Sequence, residues 1–328
     1  MRFDRRSILI SALATAALVA PNWAWAQSNF PTKTITLIVP AAAGGPTDTV
    51  ARLIAESMSN TLGQTVIVEN AGGAGGTIGM ARVAKSSPDG YTIAVWHIAH
   101  ATAPALYDNL KYNVVNDFDH IGRITDVPMT LVSKHLLPTN NLSELLNWIK
   151  TEPDKVTYGH AGIGSASHLC MLVLLNELKV KLKGISYRGT GPAMNDLLGG
   201  QFDIMCDQTT NTTNQIKAGR IKGYAVTTKT KVDSVPDLPP LDTAIKGFEV
   251  SAWHAMWAPK GLPADVTKKL VAALQSALKD PKVVERFASL GTVPVTPNLV
   301  APDALKSHLA AEVKRWDAVI KPAGVKAE

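Results

Sequence analysis

The residues best placed for chemistry lie in two glycine-rich loops, Ala41-Ala42-Ala43-Gly44-Gly45-Pro46-Thr47-Asp48 and His160-Ala161-Gly162-Ile163-Gly164-Ser165-Ala166-Ser167-His168. Each leads from a short apolar run into a predicted helix, so each leaves backbone N–H groups unpaired at the positive end of the aligned peptide dipoles. That end favours a carboxylate or a phosphate. Two such loops, far apart in the chain, predict two half-sites closing on one anionic ligand. The candidate binding residues are Ala42, Ala43, Gly44, Gly45, Thr47 and Asp48 in the first loop. In the second they are Gly162, Gly164, Ser165, Ala166, Ser167 and His168. Asp48 carries the wrong sign for an anion and is better suited to organising the helix start. For His168, ordering its own loop and touching the ligand are both open.

Two further candidates lie outside the loops. His97 follows a predicted strand on the side of a sheet where loops gather around ligands. Asp207 ends another strand, where it either caps the next turn or meets the ligand. Other chemistries lack their residues. Gly72 to Gly79 approximates a dinucleotide fingerprint, but no acidic residue follows at the usual distance, and no glycine-rich segment has the P-loop lysine. Neither Ser165 nor Ser167 sits in a Gly-x-Ser-x-Gly elbow. The histidines show no metal-ligand spacing, so neither metal nor cofactor is expected.

The elements that must position these loops alternate. Ile35 to Val39 reads as a buried strand, followed by a helix with Val50, Leu53, Ile54 and Met58 on one face, capped by Thr47 or Asp48 and ended by Gly63. Val66 to Val68 is a second strand, a third runs from Thr92 to Trp96, and the stretch from Ala71 to Gly79 opens another helix. The pattern restarts near Arg123, with strands expected at 129–132, 156–158, 184–187 and 202–206. Helices are expected at about 167–178, 192–198, 266–278, 281–290 and 305–320. Such alternation predicts an α/β fold with mainly parallel strands.

The 328 residues, 46% of them hydrophobic, suffice for two ordinary domains. Residues 1–26 read as a signal peptide: Arg2, Arg5 and Arg6 precede an apolar stretch, and Ala24-Trp25-Ala26 offers a cleavage site. Arg5-Arg6 leaves twin-arginine export open beside the general route. The apolar stretch is too short to span a bilayer. Removing the leader takes away three arginines and Asp4, so the formal charge falls from +6 to +4. That mild excess suits a small anion, and the chain lacks the clustered cations and aromatics of a nucleic-acid binder. Cys170 and Cys206 sit in apolar company and read as two buried free thiols, with pairing the alternative.

Val39-Pro40 through Arg52, Asn70 through Gly79, Tyr158 through Leu169, and Tyr187-Arg188-Gly189-Thr190-Gly191-Pro192-Ala193 occur in an order that resembles the extracytoplasmic solute receptors of the tripartite tricarboxylate transporter family, also called Bug receptors. The resemblance runs from about Phe30 to the C-terminus. It implies a two-lobed periplasmic binding protein of type II-like topology with a ligand cleft between the lobes, 28–124 plus 254–328 forming one and 125–253 the other. It implies capture of a small organic acid (a di- or tricarboxylate or an aromatic acid) and delivery to membrane permease subunits of a tripartite transporter. Ala41 departs from the aromatic usual in the family, and Trp96-His97-Ile98-Ala99-His100 from its usual small residues, which leaves room for a larger acid. A sensory receptor for a signalling partner and an α/β enzyme acting on an organic acid are the competing readings.

Overall fold

The computed structural model describes residues 29–327, so the expected leader and cleavage site lie outside the described residues. The chain runs β1 (Ile35–Val39), α1 (Pro46–Leu62), β2 (Val66–Asn70), α2 (Thr77–Ala84), β3 (Thr92–His97), α3 (Ala99–Leu106) and β4 (Phe118–Lys134). It continues through α4 (Leu142–Thr151), β5 (Thr157–His160), α5 (Ala166–Leu178), β6 (Lys183–Ser186), α6 (Thr190–Leu198), β7 (Ile204–Gln208), α7 (Thr209–Lys217) and β8 (Ile221–Val226). β9 (Ser251–Pro259), α8 (Ala264–Ala277), α9 (Pro281–Ser289) and α10 (Pro302–Ile320) complete it. β1 forms as its pattern dictates: its apolar side chains are buried, and α1 lays Val50, Ile54 and Met58 against the same apolar core.

The long strand β4 joins two half-sheets and gives the molecule its two lobes. Its first half, Phe118 to Pro128, pairs with β9 in the order β2-β1-β3-β9-β4. Its second half pairs with β7 on one edge and β8 on the other, and β7 leads on to β5 and β6. The expectation of mainly parallel strands is corrected here. β1, β2 and β3 run parallel, as do β5, β6 and β7, but β4 and β9 carry the chain between the lobes in opposite directions and pair antiparallel. Thr227 ties the crossing together: its hydroxyl donates to the Val250 carbonyl at 2.6 Å and accepts from the Met129 N–H at 3.0 Å.

The reading of Cys170 and Cys206 as free thiols is also corrected. α5 packs across β7 and brings the two Cα atoms to 6.0 Å, and the sulfurs are bonded. The apolar surroundings that suggest thiols suit a buried disulfide equally well. With its ends 36 positions apart, the bond restricts the unfolded chain by about 3–4 kcal/mol in the loop-entropy account. Reduction is therefore expected to lower the denaturant midpoint measurably, whereas a Cys170→Ala/Cys206→Ala variant should be insensitive to reductant. Equal midpoints for oxidised and reduced wild-type protein would show that the bond adds no stability.

Candidate functional site

Between the lobes lies a cleft of about 860 Å³. Its lining includes Gly45, Gly76, Ser165, Gly189 and Gln208, the N-cap residues of α1, α2, α5, α6 and α7. Five helix N-termini thus converge on one space, and their unpaired N–H groups and dipoles make it electropositive without a formal charge. The amides of Ala42, Ala43 and Gly45, and those of Gly162 and Ile163, have no acceptor among the described residues. No Asp or Glu is among the lining residues, whereas Arg188 and Lys326 are. Lys326 is paired with Asp108, and Arg188 stands exposed without a partner among the described residues.

Ala42, Gly45, Thr47, His97, Gly162 and Ser165 line the cleft. Ala43, Gly44, Asp48, Gly164, Ala166, Ser167, His168 and Asp207 stand behind the lining, and most of them shape it. Asp48 Oδ2 accepts from the Gly44 N–H at 3.0 Å and from Arg52 Nε at 2.9 Å, while Oδ1 accepts from Asn70 Nδ2 at 3.0 Å. Burial pushes this carboxyl up, but the bonds from Arg52, Gly44 and Asn70 outweigh it and hold the group below the usual carboxylate range. The expected side-chain cap by Thr47 or Asp48 is absent, because Gly45 occupies the cap position and Pro46 follows it. Gly44 is the glycine whose backbone demands it, at φ +78°, while Gly45 has an ordinary extended backbone with room for a Cβ.

The second loop is held in the same manner. Ser165 accepts from the His168 N–H, Ser167 Oγ accepts from the Ala161 N–H at 2.9 Å, and His168 Nδ1 accepts from the Gly164 N–H at 3.3 Å. His168 is lowered to about 4, first by burial and then by His160, and so remains a neutral acceptor. Asp207 is buried, bonds Asn211 Nδ2 at 2.6 Å and is pushed up to about 7 by burial. His97 stacks on Trp96 and accepts from the Ala99 N–H through Nδ1. Burial and nearby His254 hold it well below the usual histidine range, so the ring is neutral and its proton sits on Nε2.

Sequence reasoning missed Tyr107, Ser186, Gln208 and Lys326 as lining residues, and it named Trp96 only as part of an atypical loop. It found Gly72 to Gly76 and Tyr187 to Thr190 as motifs without placing them in the site, although the glycines ahead of a third and a fourth helix carry the same signal as the two loops.

The two half-sheets and the intervening cleft define a two-lobed periplasmic solute-binding protein. The family description for tripartite tricarboxylate transporter family receptors matches residues 50–325, and the chain belongs to that family. A protein from the TAR-I ttuE-ttuC' intergenic region of Agrobacterium vitis is 52% identical over 97% of this chain and 92% of its own length. The structure of periplasmic binding protein BugD is similar at 51% identity with a TM-score of 0.88, over 90% of this chain and 100% of that one. MatC from Rhodopseudomonas palustris with bound malate is 40% identical with a TM-score of 0.85, over 89% of this chain and 100% of its own.

Proposed function

We propose that this receptor captures a small organic carboxylate between its lobes and hands it to the membrane permease subunits of a tripartite transporter. The observation that carries the reading is the convergence of five helix N-termini on a cleft whose lining includes two cations and no acid. MatC, with its bound malate, supports a dicarboxylate of similar size. The protein binds and releases its solute unchanged. Export would use residues 1–26 as a leader cleaved after Ala26, and the lobes that close would be 28–124 with 254–328 and 125–253. Mass spectrometry of acids released from gently purified protein identifies the ligand. That acid at about 100 times its Kd should then add roughly 2.7 kcal/mol of stability, whereas its neutral diamide should add none. Equal stabilisation by acid and diamide would overturn the carboxylate reading.

A further inference from the structure

Thr47 and His254 fix each other's hydrogen-bonding roles. His254 Nδ1 lies 3.1 Å from the Ala252 carbonyl, which only accepts, so Nδ1 carries the proton. Burial lowers this imidazole to about 4, so at neutral pH the ring is uncharged and its Nε2 is bare. Thr47 Oγ1, 3.0 Å from that nitrogen, therefore donates its single proton to the ring. What Thr47 offers the cleft it lines is an oxygen with lone pairs and no hydrogen. The other lobe brings a buried amide up to the same cleft. Gln208 lines the same cleft, is only 3% exposed, and its Oε1 is buried without a hydrogen-bond partner among the described residues.

A bare carboxylate leaves the Thr47 oxygen unsatisfied and sets its lone pairs against negative charge. We propose that the ligand carries a hydrogen-bond donor on the carbon beside its carboxylate, a hydroxyl or an ammonium, and that Thr47 selects for it. The inference rests on the carboxylate reading and adds the neighbouring substituent to it. Of the two donors, the hydroxyl fits the lining better, because an ammonium buried here would meet no Asp or Glu.

Calorimetric titration of the mature protein with matched acids tests this: malate against succinate, lactate against propionate, mandelate against phenylacetate, and aspartate beside malate. In the pair that binds, the hydroxylated acid should be about tenfold tighter, the worth of one hydrogen bond to a buried acceptor. Thr47→Val should bring the hydroxylated acid to within about twofold of its deoxy partner, while Thr47→Ser keeps the gap. A purely structural role for Thr47 would weaken both acids alike, which would count against selection. Aspartate tighter than malate would seat an ammonium there and still support a donor. Equal affinities within a binding pair would overturn the donor inference and leave the carboxylate reading intact. Binding of none of these acids would overturn both.

Discussion

Gly75→Asn is expected to weaken ligand binding roughly tenfold to a hundredfold while leaving the melting temperature of the ligand-free protein close to that of the parent. Gly75 has φ +60° and ψ 21°, a left-handed conformation that asparagine tolerates better than other side chains, so the backbone cost is kept small. The steric cost is not small. A Cβ at this position would stand 2.7 Å from the Tyr107 hydroxyl and 2.9 Å from the Ile163 carbonyl oxygen. The tyrosine belongs to the same lobe and its ring can swing aside. Ile163 belongs to the second loop across the cleft, and its backbone oxygen recedes only if the lobes part.

Overpacking of this kind costs about 1–3 kcal/mol, and here it falls on the arrangement in which the two loops meet, so the fraction of protein competent to bind should drop and the apparent affinity with it. Neighbouring contacts show how tightly the lobes meet here. A Cβ on Gly189 would meet the Ala42 Cβ at 3.1 Å, and the Thr102 hydroxyl donates across the lobes to the Gly164 carbonyl. Small-angle scattering of Gly75→Asn with ligand should retain the open dimensions. Parent-like affinity and compaction would show that the lobes do not need this contact.

Local chemistry made much of this protein legible. β1, the glycine-rich turn and α1 follow from a β-branched run, φ +78° at Gly44 and a helical apolar face, all within a few residues of one another. The second loop and α5 follow from the same logic. What stayed hidden depends on distant partners. β4 is seventeen residues long, yet only Met129 to Val132 reads as a strand, because Asp119, His120, Gly122, Arg123 and Asp126 interrupt its apolar pattern. Pairing with β9 on one half and with β7 and β8 on the other holds it extended all the same.

α7 is similar. Its sequence carries four threonines and two asparagines, a composition of poor intrinsic helicity. Tertiary bonds compensate: Thr209 donates to the Gly291 carbonyl, and Thr212 lies 2.7 Å from the Thr130 hydroxyl. The site divides along the same line. The free amides are local and readable, whereas the polarity of the Thr47 hydroxyl is set by a histidine 207 positions away.

Acidification from pH 7.5 to pH 5 is expected to remove most of the protein's stability. Seven of the eight histidines, all but His135, are held below the usual histidine range, and in each burial is the leading cause. His120, His168 and His254 fall to about 4 and His100 to about 3. A group whose folded pKa is depressed takes up its proton first in the unfolded chain. The unfolded state therefore gains as pH drops below about 6.5, and the loss continues until the folded pKa is reached. At pH 5 a histidine lowered to about 4 withdraws about 2 kcal/mol, and four such groups together rival the 5–15 kcal/mol of a typical fold.

Asp207 opposes this trend. Raised to about 7, it is costly to keep buried while the unfolded carboxylate is ionised, and that cost diminishes as pH falls from 7 toward 4. One group against four does not reverse the sign. Asp207→Asn removes the opposing contribution, so it should raise stability at pH 7.5 and make the fall to pH 5 steeper than in the parent. Urea denaturation at the two pH values reads both effects. An unchanged midpoint in the parent would mean that the buried imidazoles bind protons as readily in the fold as in the unfolded chain, and the neutral-histidine assignments behind the Thr47 and His97 hydrogen bonds would fall with it.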